Sequence, residues 1–109
     1  MDPRAMGKAL RLFSVLDATH LPAHFIQVFL VIGERGWCRY EEIEEELGLS
    51  NSAVSRTVMA LGKVNRKGEA GFDLVRLERD PVEGRRYLVS LNSKGKALWR
   101  TLLDVEASC

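Results

Sequence analysis

Residues 40–61 read Tyr40-Glu41-Glu42-Ile43-Glu44-Glu45-Glu46-Leu47-Gly48-Leu49-Ser50-Asn51-Ser52-Ala53-Val54-Ser55-Arg56-Thr57-Val58-Met59-Ala60-Leu61, two short helical patterns meeting at a glycine. In the first pattern Ile43 and Leu47 fall four residues apart and are the pair to bury, which leaves the glutamates as a solvated face. Gly48 supplies the positive φ that ends a helix, and Ser50 or Asn51 can cap the next one. The second pattern carries Val54, Val58 and Leu61 on one side and Ser52, Ser55, Arg56 and Thr57 on the other. Two short helices joined this way form a helix-turn-helix. Small polar residues at the start of the second helix allow its backbone into a major groove about 12 Å wide. Arg56 has the length and the planar fork to reach a guanine edge or a phosphate.

Upstream, Asp2-Pro3 is a helix start, with Asp as cap and Pro at the first helical position. Met6, Ala9, Leu10, Phe13 and Leu16 then recur as one apolar stripe, predicting a helix over residues 3–17. Thr19 to Pro22 repeats the start signal, Phe25, Val28, Phe29 and Ile32 continue a second helix, and Gly33 and Gly36 end it. Trp37-Cys38-Arg39-Tyr40 would suit a brief strand.

Downstream the period changes. After a basic, glycine-containing loop over residues 62–71, Leu74, Val75 and Leu77 make one β-like run and Tyr87, Leu88, Val89 and Leu91 another. The polar stretch between them, residues 79–86, suits a β-hairpin turn. Arg85 and Arg86 on that turn could place a guanidinium in a minor groove, where negative potential is focused, with Glu83 or Asp80 holding it extended. Asn92 or Ser93 then caps a closing helix whose apolar face is Leu98, Trp99, Leu102 and Val105.

The chain has 109 residues, the size of one domain, with no room for a separate catalytic module. Its net charge of +1 conceals an uneven distribution. Acid is concentrated in Glu41, Glu42, Glu44, Glu45 and Glu46, while Arg56, Lys63, Arg66 and Lys67 crowd the next segment, so a neutral total can hide a basic face that phosphates would see. The cysteines Cys38 and Cys109 fit neither a disulfide framework nor a zinc site. Cys38 reads as a small buried residue, or alternatively as a redox sensor beside Arg39. His20 and His24 lie four apart without a third ligand, and Trp37 and Trp99 read as core or interface packing. No signal-peptide pattern opens the chain, and the apolar run from Phe25 to Gly33 is far shorter than the ~20 residues of a membrane span. A soluble, cytoplasmic protein is expected, with no cofactor, no metal and no enzyme chemistry.

The run from Glu45 to Arg56 resembles the recognition region of the MarR-type winged-helix regulators. The run from Asp80 to Gly95 resembles that family's wing, its second strand and the start of its closing helix. Compact size and the longer loop also resemble winged-helix regulators of phages and mobile elements. The family resemblance implies that Ser52, Ser55 and Arg56 meet the major groove, that Arg85 is the arginine of the wing's Asp-x-Arg motif, and that Glu83 orients it; Asn51, at the start of the same helix, is a further candidate DNA contact. It implies a homodimer paired through residues 3–17 and 93–107, bound to half-sites ~10 bp apart. The chain departs from the family at Glu44, where a small residue is usual, in the longer step over residues 62–71, and in its short terminal helices. The last leaves little room for a small-molecule effector.

The expectation is a mainly α fold with a small β-hairpin, a winged helix-turn-helix occupying residues 1–109. Its function would be sequence-specific binding of double-stranded DNA as a repressor. The helix over residues 51–63 would enter the major groove, the wing with Glu83, Arg85 and Arg86 the minor groove, and Lys63, Arg66 and Lys67 would contact phosphates. Two alternatives stay open: a protein-interaction module docking through the glutamate-rich helix, and a DNA-binding role in replication of a mobile element.

Overall fold

The computed structural model describes residues 2–14, 16–17, 20–63, 68, 70–84 and 86–107, with residues 106 and 107 described for their backbone alone. Helix α1 spans Pro3–Phe13. Asp2 starts it: one carboxylate oxygen accepts the amides of Arg4 at 2.8 Å and Ala5 at 2.9 Å. The helix ends four residues before the expected boundary, because Ser14 turns back onto the carbonyl of Arg11 with both its amide (3.2 Å) and its hydroxyl (2.6 Å). The inward row is Ala5, Ala9 and Phe13, whereas Met6 and Leu10, expected in the buried stripe, are about half exposed. Two alanines on the inner row let α1 lie close to its neighbour.

Helix α2, Ala23–Arg35, buries Val28, Phe29, Val31 and Ile32, and Phe29 takes the ring of Phe13 edge-on at 5.5 Å. Gly33 does not end this helix, contrary to expectation. It lies within α2 where the indole of Trp99 packs, and the chain leaves the helix at Gly36, with φ of 83°. Of the start signal, Thr19 lies outside the described residues, and the cap position is Pro22.

Strand β1, Cys38–Arg39, runs directly into α3, Tyr40–Leu47. Gly48 ends α3 at φ 66°, its amide and that of Leu49 both reaching the carbonyl of Glu44. Ser50 caps α4, Asn51–Leu61, by accepting the amide of Ala53 at 3.2 Å. This helix stops at Leu61 rather than residue 63 because Gly62 is extended. The returning chain then closes a neck with main-chain hydrogen bonds: Gly71 to Lys63, Phe72 to Ala60, Asp73 to Gly62 and Leu74 to Leu61, at 2.7–3.0 Å.

Strands β2, Val75–Arg79, and β3, Tyr87–Leu91, form the expected hairpin, with Leu77 opposite Val89. β1 adds to it as a third strand, giving the antiparallel order β1-β3-β2 with Cys38 opposite Val89 and Arg39 opposite Leu88. Helix α5, Ser93–Ala107, is capped by Asn92, which accepts the amide of Gly95 at 2.9 Å. The amide group of Asn92 meanwhile donates to the carbonyl and carboxylate of Asp73, a residue held at φ 57°. Phe29, Ile32, Ile43, Val54, Val58, Leu61, Leu74 and Val89 form one continuous core beneath sheet and helices. Truncating such a residue to Ala typically costs about 2–5 kcal/mol. Among the described residues no helix is long and apolar enough to cross a membrane.

Candidate nucleic-acid interface

Helix α4 presents its sides as its period dictates. Val54, Val58 and Leu61 are buried, while Asn51, Ser52 and Arg56 are exposed and Ser55 is half-buried. Thr57, placed on the outer side by the sequence pattern, is instead buried, its hydroxyl donating to the carbonyl of Ala53 at 2.8 Å. The opening of α4 is organised by polar contacts. Ser50 and Ser52 share a hydroxyl hydrogen bond of 3.2 Å, and Asn51 donates to Glu44 at 3.2 Å. Glu44 therefore fits without a small residue's close packing, because its carboxylate reaches across the turn to Asn51.

The remaining glutamates of α3 are partly neutralised. Arg35 reaches Glu42 and Glu46, each at 3.0 Å, and Glu41 pairs with Arg86 at 2.8 Å. Arg56 and Lys63, by contrast, are exposed and make no ion pair among the described residues. Cations left uncompensated on this helix and just beyond its end are what a phosphate backbone would meet first.

The wing turn is built from within. Asp80 is buried, accepts the amide of Val82 at 2.9 Å and pairs with Arg39 at 2.8 Å, and these groups hold its carboxyl below the ordinary range. The amide of Asp80 donates to the carbonyl of Arg86, and Arg79 donates to the carbonyl of Gly84 at 2.8 Å. Asp80 is thus committed to Arg39 and to the turn. Glu83 pairs with Arg86 at 2.8 Å. Arg85, Arg66, Lys67 and Cys109 lie outside the described residues.

Comparison with solved structures decides the family. A MarR-like transcriptional regulator from Thermotoga maritima is 30% identical, with a TM-score of 0.66, and the match covers 99% of this chain and 77% of that one. The chain belongs to the MarR-like transcriptional regulators. Two more distant structures share the fold. A probable transcriptional regulator from Pseudomonas aeruginosa has 24% identity, TM-score 0.63, and coverage of 96% and 73%. A mutant MarR from E. coli complexed with operator DNA has 21% identity, TM-score 0.64, and coverage of 94% and 68%. No protein-family model matches the sequence, and no curated protein does.

For this MarR-like regulator, other sequence candidates fall into place. Cys38 is buried, and burial pushes its thiol up to about 11, which suits packing better than redox sensing. His20 precedes α2 and His24 stands edge-on to Phe25 at 5.0 Å, so no single helical face carries both. Among the described residues no cluster of three metal-ligating side chains exists. Trp99 packs on the core, whereas Trp37 is 40% exposed with the guanidinium of Arg76 stacked on it at 4.8 Å. Two contacts of the wing that the sequence did not announce are the ion pairs of Arg39 with Asp80 and of Glu41 with Arg86. The only local signal was Arg39-x-x-Glu42, where Glu42 accepts the amide of Arg39 at 2.8 Å.

Proposed function

We propose that this regulator binds double-stranded DNA sequence-specifically as a homodimer and represses by occluding a promoter. Helix α4 enters the major groove, with Asn51, Ser52, Ser55 and Arg56 toward the bases and Lys63, Arg66 and Lys67 on phosphates. The wing, with Glu83, Arg85 and Arg86, follows the adjacent minor groove. The single observation carrying this reading is Arg56. Arg35, Arg39 and Arg86 nearby are each tied to carboxylates, while Arg56 stands exposed on the polar face of α4 with no ion pair among the described residues. Support comes also from the structural relative complexed with operator DNA.

Dimerisation is assigned to the terminal helices, with residues 1–109 acting as one DNA-binding domain. Met6 and Leu10 on α1 and Leu103 on α5 are 48–55% exposed, an apolar face on two helices that pack together. A docking role for the glutamate-rich helix is disfavoured, since Arg35 and Arg86 already engage Glu41, Glu42 and Glu46.

Selection of bound sequences from a random duplex pool at near-physiological salt tests the proposal. Enrichment of a pseudo-palindrome with half-sites ~10 bp apart supports a dimeric, specific regulator. Salt-sensitive retention without enrichment leaves a nonspecific binder, and no retention at low salt removes the DNA reading altogether.

A further inference from the structure

We propose that Arg39 and Glu41 are positioning residues that set where the wing meets DNA relative to the recognition helix; the inference rests on reading α4 and the wing as a two-part DNA contact. Two ion pairs of opposite polarity join the start of α3 to the wing. Arg39 gives its guanidinium to Asp80, with Nη2 at 2.8 Å and Nε at 3.0 Å. Glu41 gives its carboxylate to Arg86 at 2.8 Å. The wing partners flank the base of the turn and are themselves joined, the amide of Asp80 donating to the carbonyl of Arg86 at 2.9 Å. A single pair would let the turn pivot about it. Two pairs, one on each side of the base, fix its orientation.

The sheet explains why the wing needs this support. Pairing of β1 with β3 ends at Arg39 opposite Leu88, so the outer part of the hairpin, from Arg79 opposite Tyr87 to the turn, has no third strand beside it. A two-stranded ribbon twists more freely than a wider sheet. At the point where main-chain support stops, the side chains of Arg39 and Glu41 take over. Arg39 is well placed for this because its own backbone pairs with Leu88 and donates to Glu42 at 2.8 Å. The path from turn to recognition helix is short: Asp80 to Arg39, Arg39 into α3, and α3 packed on α4. Asp80 is 3% exposed, so its charge depends on Arg39 and on the amide of Val82 for compensation. Arg86 bonds both Glu41 and Glu83, so a residue of the wing that follows the minor groove is also the wing's tie to α3.

The charge of Glu41 gives the test a sign. A carboxylate that merely sat near DNA would repel it, so its removal would tighten binding. A positioning role predicts the reverse. The probe is a duplex enriched from a random pool by the unaltered protein, read by hydroxyl-radical footprinting with unaltered protein, Glu41→Gln, Arg39→Met and Arg39→Lys. The expected result is protection of the sugar–phosphate backbone bordering the α4 site by all four proteins. Protection of the flanking minor groove should be lost in Glu41→Gln and Arg39→Met and partly restored in Arg39→Lys. Affinity should fall by about tenfold, the scale of one lost groove contact. In the free protein, amide exchange of Val82 should quicken in Arg39→Met. Flank protection kept by Glu41→Gln, or tighter binding by it, overturns the inference. Should Arg39→Met fail to fold, the exposed Glu41 carries the test alone. If the unaltered protein enriches no duplex, the DNA reading fails before any variant is made, and this inference fails with it.

Discussion

The indole of Trp99 on α5 occupies the space that a side chain on Gly33 of α2 would need. The glycine is a contact surface rather than a helix end, and it sets how closely the terminal helix crosses α2. A methyl group there must displace a ring already packed on the core, an overpacking that costs roughly 1–3 kcal/mol. Gly33→Ala is therefore expected to lower the melting temperature by about 4 °C or more, on the scale for a domain of this size. Tryptophan fluorescence should shift in parallel. An unchanged melting temperature and spectrum would show that Trp99 can move aside freely.

Arg56 is expected to contribute base or phosphate contact without contributing to stability, since it is exposed and unpaired among the described residues. Arg56→Ala should weaken binding to the enriched duplex by about tenfold or more, with the melting temperature unchanged. If the arginine meets only phosphate, the loss should be equal on all sequences and the salt slope should drop by about one. A loss confined to the enriched sequence marks a base contact.

Cys38 titrates in a way that ties stability to alkaline pH. Burial raises its thiol from 9.0 to about 11, so the folded chain keeps it protonated where the unfolded chain has begun to ionise it. Its contribution is fully present below pH 9 and drains away as pH rises toward 11. Urea unfolding at stepped pH should show this decline, and Cys38→Ala should flatten it. At pH 8 the folded protein should resist alkylation at Cys38, and rapid labelling there would contradict the buried thiol.

In the proposed dimer, Leu103 on α5 and Leu10 on α1, 55% and 48% exposed in the single chain, lie on the face that the partner would cover. Leu103→Glu is expected to give a monomer in sedimentation velocity and to reduce binding to a two-half-site duplex far more than to one half-site. A dimer that survives both Leu103→Glu and Leu10→Glu would place the interface elsewhere.

Features written in neighbouring residues were legible in the sequence. Asp2-Pro3, Gly48 with Ser50, and Asn92 before α5 each cap a helix through groups two to four residues away, and each is found doing so. The hairpin followed from the change of period between Val75 and Leu91. What depended on distant packing was not legible. Met6 and Leu10 share an apolar pattern with Phe13, but only the crossing of α1 with its neighbours turns them outward. Gly33 looks like a helix breaker until Trp99, far along the chain, is known to rest on it. Arg39 and Asp80 are 41 residues apart, and no periodicity announces an ion pair. On α4 the side expected to face outward is exposed at Ser52 and Arg56 and half-buried at Ser55, while Thr57 is buried because its small hydroxyl bonds back to its own helix.

The neck between the end of α4 and β2 has a practical consequence. Its row of main-chain hydrogen bonds, from Gly71 to Lys63 through Leu74 to Leu61, ties the end of α4 to the chain entering β2 and so closes the connection at its base. Lengthening a loop already closed at its base is cheap, about 0.6 kcal/mol per doubling. A foreign peptide grafted there should leave folding intact while hanging beside Lys63, at the edge of the proposed DNA face. An antibody or other bulky ligand raised against that graft would then act as an external off-switch, excluding DNA by size alone.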